Sequence, residues 1–225
     1  MTELFDDWTE RYEAWFATPI GRLVKALETE LVMGMLRPAA GELILDAGCG
    51  TGLFTADLLA AGARAVGLEL SLPMLRRGRA RLAGRGFSPV RGDMLALPFA
   101  DAVFAKALSV TAIEFIPDAG RAVAELWRVT RPGGLVVAAT LNRLSPWAER
   151  RQKAAQAGHA LFQQAHFRSP DELAALAPWP PEAVATAIHF AKDAAPAEAQ
   201  AMERAGRAQN LATGAFVAAC WRKPA

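Results

Sequence analysis

The chain of 225 residues is poor in the side chains from which many active sites are built. It has three histidines, two cysteines and one tyrosine. No cysteine and histidine cluster has metal-ligand spacing, and two cysteines make no disulfide framework. Cys49 lies in a glycine-rich turn, where a small packing residue fits better than a nucleophile. Excess charge of one sign is missing too. The formal net charge is +2, too small to point to nucleic acid. No apolar run reaches the ~18 residues that a membrane-spanning helix needs. The first residues, MTELFDDW, lack the basic and apolar regions of a signal peptide, so the cytoplasm is the expected compartment. With 52% apolar residues, the chain is expected to form one domain over residues 1–225.

What is present is concentrated in LILDAGCGTG, Leu43 to Gly52. An apolar strand runs into Asp46, and Gly48, Gly50 and Gly52 follow at alternate positions, then a helical stretch from Leu53 to Ala61. A strand, glycine turn and helix bring the backbone close to a ligand, because glycine has no Cβ and tolerates positive φ. Amides at the helix start favour an anionic group. A dinucleotide fingerprint has neutral glycines spaced G-x-G-x-x-G against a pyrophosphate. Here the turn reads D-x-G-x-G-x-G, and a carboxylate at its head suits an ammonium better. A nicotinamide oxidoreductase is therefore the weaker alternative.

This motif resembles that of the class I S-adenosylmethionine (SAM)-dependent methyltransferases, and the ubiquinone and menaquinone methyltransferase branch in particular. Further segments fall in the same order. Ala63 to Glu69 reads as a second strand ending in an acid 23 positions after Asp46, near the ~20-residue offset of a ribose-binding acid. Phe87 to Arg91 is a third strand, followed by GDMLALPF. Asp101 to Val110 is a fourth, and Arg131-Pro132-Gly133-Gly134 turns into a fifth, Leu135 to Leu141. The resemblance covers about Leu43 to Leu141.

It implies a doubly wound α/β fold with a mostly parallel seven-stranded sheet, Rossmann-like, its last strand antiparallel and its helices on both faces. An N-terminal helical cap is expected over 1–38, broken near Thr18-Pro19, where proline opens a second helix. Leu23, Leu27, Leu31 and Met35 recur on one face of that helix. Residues 142–181 form a helical insertion on the acceptor side, with helices at about 146–164 and 170–177. A sixth strand at 183–190, a helix at 196–208 and a last strand at 214–221 complete the pattern.

The implied cofactor is SAM. Asp46, Gly48 and Gly50 are expected to hold its amino-acid end, Glu69 its ribose, and Asp93 its adenine amino group. Leu70 and Met94 flank the ring, and Ser109 lies near the methionine portion. Tyr12, Trp15 and Phe16 share one helical face. They read as a core-facing stripe, or, as in relatives with a similar segment, as a lid over SAM. Many relatives carry a histidine after the fourth strand. Here that position is Phe115, which takes no proton, so alignment and desolvation are expected to dominate. Glu114, beside it, reads as a solvated helix-cap acid, with a base as the alternative. His159 and His166 are further base candidates that read first as surface or packing residues, and His189 reads as structural. Arg143 and Trp147, after the fifth strand, are placed to meet an acceptor. Arg150, Arg151 and Lys153 read as a solvated helix face, with a positively charged site as the alternative. The expected activity is methyl transfer to a small molecule, without nucleic acid or a membrane span and with no oligomeric state specified. A SAM-binding partner or sensor without catalysis is the other reading.

Overall fold

The computed structural model describes residues 9–225. The expectations for residues 1–8 lie outside the described residues. Seven strands form one sheet in the order β3-β2-β1-β4-β5-β7-β6. They are β1 Leu43–Ala47, β2 Arg64–Glu69, β3 Phe87–Arg91, β4 Phe104–Val110, β5 Thr130–Leu141, β6 Ala183–Ala187 and β7 Phe216–Arg222. The first five pair in parallel, and β7 runs antiparallel between β5 and β6. This is the expected doubly wound sheet. The chain goes outward from β1 to β3, then returns to β4 on the other side of β1. That reversal opens a crevice at the carboxyl ends of β1 and β4, the usual ligand position in such sheets.

The central strands are short and apolar because both faces are covered. Ile44 and Val137 face one core, with Val24, Leu58 and Phe216, while their neighbours Leu45 and Val136 face the other, with Phe104, Leu126 and Trp221. The helices that cover the sheet include α1 Thr9–Ala17, α2 Pro19–Leu36, α3 Thr55–Ala60, α4 Leu72–Arg81 and α5 Ala119–Val129. Thr18 caps α2 by accepting from the Gly21 amide at 3.0 Å, and Pro19 opens it, as expected.

Three expectations are corrected here. The predicted helix over 146–164 is two helices, α6 Pro146–Gln156 and α7 Ala160–Gln163. Gly158 breaks it with φ at 94°, a conformation open to glycine. The fully buried stripe of α2 is Gly21, Val24, Glu28, Val32 and Leu36. The leucine stripe read from the sequence lies beside it and is only partly buried. A glutamate therefore takes a core position. The expected strand of 183–190 stops early because Ile188 adopts φ of 68°. Helices α8 Pro170–Ala174 and α9 Pro196–Ala208 complete the chain order. Among the described residues, no helix is long and apolar enough to cross a membrane.

Candidate active site

The glycine turn is fastened to the end of β2. The Gly48 and Cys49 amides both donate to the Leu68 carbonyl, at 2.7 and 3.1 Å, and the Gly50 amide donates to Glu69 Oε2 at 3.0 Å. Gly48 has φ of 77°, and a Cβ there would lie 2.3 Å from the Ala112 Cβ. Glycine is thus required twice, by conformation and by the close approach of the segment after β4. The Cys49 thiol is buried and its pKa is pushed well up, by burial and then by Asp46 and Glu69. This fits a packing residue and not a nucleophile.

Asp46 ends β1 as a buried carboxylate. Its Oδ2 accepts from the Thr55 hydroxyl at 2.6 Å. Burial raises its pKa to about 6, opposed by the Thr55 bond and assisted by Glu69. At neutral pH it is mostly ionised and suits an ammonium partner. Glu69 ends β2 with Oε1 accepting from the Ser71 amide at 2.8 Å and Oε2 from Gly50. Asp93 uses Oδ1 to accept from the Leu95 amide at 2.9 Å.

These groups line one end of a cavity of about 630 Å³, together with Leu70 and Met94. The size is in the range of small-molecule and cofactor sites. Helix α1 forms part of its wall. Tyr12 and Trp15 both line the cavity, and Trp15 and Phe16 also pack on the core. The stripe therefore both packs on the core and borders the cavity. Burial, then the Glu28 charge, keeps the Tyr12 hydroxyl protonated, with the Thr111 side chain opposing.

The far end of the cavity differs from the sequence expectation. Glu114 is not a solvated acid. It is 1% exposed, faces the cavity, and its Oε2 accepts from the Thr140 hydroxyl at 3.1 Å. Burial raises its pKa to about 7 against its backbone and Thr140 hydrogen bonds. Glu28, which the sequence reading passed over, is 4% exposed and lines the same end. Burial raises its pKa to about 8, opposed by Lys25 and Arg151. Arg151 reaches the cavity with its guanidinium 5.4 Å from the Trp147 ring centroid. Its pKa falls to about 10 through burial, with Glu114 and Glu28 opposing. A solvated face describes Lys153 but not Arg151. Arg150 and Lys192 also line the cavity.

Other expected residues are not brought to this site. Ser109 is buried but does not line the cavity, because strand alternation turns it to the opposite face from Val110, which does. Arg143 is held away by a two-point ion pair with Glu172, at 2.9 and 3.0 Å. His166 has an exposed side chain outside the cavity, and only its amide approaches, donating to the Glu114 carbonyl at 2.7 Å. His159 does line the cavity, with its ring stacked on Phe162 at 4.4 Å. Trp147 lines it as a buried wall, its Nε1 donating to the Phe190 carbonyl at 2.6 Å. Among the described residues, no group of three acidic, histidine or cysteine side chains is arranged to hold a metal.

Residues 45–138 match the family described as "Methyltransferase domain". The chain is 44% identical over 109 residues to a malonyl-[acyl-carrier protein] O-methyltransferase of Pseudescherichia vulneris, covering 48% of this chain and 41% of that one. It is 40% identical over 134 residues to a demethylmenaquinone methyltransferase of Corynebacterium kroppenstedtii, covering 60% and 56%. The chain thus spans about half or less of the length of these curated relatives. A crystal structure from Thermotoga maritima, of a SAM-dependent methyltransferase described as a possible histamine N-methyltransferase, superposes with a TM-score of 0.76. It is 25% identical and covers 99% of this chain and 100% of its own. The D-x-G-x-G-x-G turn, the sheet order and these similarities agree: residues 45–138 carry a methyltransferase domain, on a fold shared with SAM-dependent methyltransferases.

Proposed function

We propose that this protein transfers a methyl group from SAM to a small molecule bound in the same cavity. The observation that carries the reading is the continuity of that cavity. Its one end has the glycine turn and acids suited to SAM, and its other end has buried polar side chains. The residues present fit the cofactor. Asp46 would hold its ammonium group, the Gly48 and Gly50 backbone would lie along its amino-acid end, and Glu69 would take the ribose hydroxyls. Asp93 Oδ2 would accept from the adenine amino group, between Leu70 and Met94. Bound SAM supplies an electrophilic methyl on a sulfonium leaving group.

The chain's own contribution is alignment, exclusion of water and handling of a proton. Tyr12 and Trp15 close the cavity over the bound groups, and their rings attract a positive sulfonium. Phe115 offers no base, but Glu114, raised to about 7, can accept a proton near neutral pH. The small-molecule acceptor and a cytoplasmic setting are parts of this proposal.

Calorimetry and methyl uptake from labelled SAM test it together. SAM should bind the wild type, and Asp46→Ala should abolish binding. A metabolite pool should yield one labelled product with the wild type only. Unchanged SAM affinity in the variant would sink the assignment of this end of the cavity.

A further inference from the structure

The acceptor end contains a buried acid and a buried base that do not satisfy each other. Glu28 Oε2 and Arg151 Nη1 are both buried and have no hydrogen-bond partner among the described residues. Both residues line the cavity, and each charge acts on the other's ionisation without these two atoms meeting. An orphaned buried acceptor or donor costs ~1–3 kcal/mol, more when charged, so two in one cavity point to a ligand that completes both. The nearest cations do not complete the acid. Lys25 is engaged with Asp57 Oδ2 at 2.5 Å and with Thr29. The surroundings are also sorted by sign. Glu114 adds a second carboxylate near Glu28 and Arg151. Arg150 and Lys192 add positive charge on the Arg151 side, and after burial it is Arg150 and Arg151 that depress the Lys192 pKa. Trp15 and Trp147 give the space between an aromatic wall.

Resting on the methyltransferase reading above, we infer that the acceptor is a small zwitterion with an apolar or aromatic body. Its amine is held by Glu28 and Glu114, and its carboxylate by Arg151, with Arg150 and Lys192 beside it. A cation alone would leave Arg151 Nη1 orphaned. An anion alone would leave Glu28 Oε2 orphaned and would lie against two carboxylates. A zwitterion answers both and adds no net charge to the cavity.

The test measures binding by calorimetry in the presence of saturating S-adenosylhomocysteine, the demethylated form of SAM. The probes are phenylalanine and aminomethylbenzoate, zwitterions with short and long charge spacing, and two aromatic half-ligands that carry one charge each, phenethylamine and phenylpropanoate. At least one zwitterion should bind about tenfold or more tighter than either half-ligand. Glu28→Gln should weaken that zwitterion and phenethylamine and spare phenylpropanoate. Arg151→Met should weaken the zwitterion and phenylpropanoate and spare phenethylamine. Retained binding of S-adenosylhomocysteine shows that each variant is folded, and the wild-type comparison stands without them. A half-ligand that binds as tightly as both zwitterions overturns the inference, as does absence of binding by all four probes. Failure of S-adenosylhomocysteine itself to bind the wild type overturns the methyltransferase reading instead.

Discussion

Glu28→Gln should stabilise the ligand-free protein, and only as the pH rises. In the folded protein burial keeps the Glu28 carboxyl protonated up to about 8, whereas its ordinary value is 4.5. Below about 4.5 both folded and unfolded chains carry the proton and the folded state has its full stability. Between these limits unfolding releases the proton, so each rise in pH favours the unfolded chain. Above about 8 both states are ionised and the loss is complete. At ~1.4 kcal/mol per pH unit the interval amounts to about 5 kcal/mol. Glu114 helps to raise Glu28, so part of that loss belongs to the pair, and on the order of 3–5 kcal/mol is expected for Glu28. Glutamine has nearly the same shape and does not titrate. Urea unfolding followed by circular dichroism, at intervals between about pH 4 and pH 9, gives the comparison. The variant and wild type should agree at the acid end and separate progressively, the variant being more stable at the alkaline end. Glu114 and Asp46 also have raised values and leave the variant a smaller slope of its own. Parallel pH profiles for the two proteins would refute the buried, orphaned state of Glu28 from which the argument starts.

Three further outcomes are expected. Glu69→Gln should weaken SAM binding by about 2–3 kcal/mol, read by calorimetry; equal affinity would mean that the end of β2 does not meet the ribose. Gly48→Val should lower the melting temperature as well as remove SAM binding, because its Cβ would strike Ala112 and its φ is positive. A variant with wild-type melting would contradict that crowding. Removing residues 1–18 should weaken SAM binding more than it lowers the unfolding free energy of the ligand-free protein, because Tyr12 and Trp15 line the cavity. Loss of stability alone, with affinity kept, would restrict α1 to a core role.

The cofactor end was legible because its chemistry constrains neighbouring residues. Three glycines with positive φ, an acid before them and an acid at the end of β2 all lie on short turns, where backbone geometry limits residue type. The order of strands followed from the same alternation of apolar runs and turns. The acceptor end was not legible, for two physical reasons. Its groups come from elements far apart in sequence, α2, the segment after β4, and α6. A mid-helix glutamate such as Glu28 also carries no local mark of burial: it follows a leucine stripe by one position and looks like ordinary surface. Arg143 failed as a site residue because its charge was already matched by Glu172, a partner 29 positions away. Ser109 failed on the parity of a strand whose register could not be fixed to one residue. Glu114 was misjudged because it directly precedes Asp118, the actual cap of α5, by only one short turn.

The cavity is assembled from the span that the family match covers and from helices outside it. Asp46, Glu69, Asp93 and Glu114 fall within residues 45–138, which the family match spans. Glu28 and Arg151 fall outside it. On the proposed function, substitutions on α2 and α6 should change which molecule is selected and leave the glycine turn and its acids intact. A chimera would show it: exchanging α2 and α6 between two proteins that share this turn should move selectivity with the helices and leave SAM affinity with the sheet and α1.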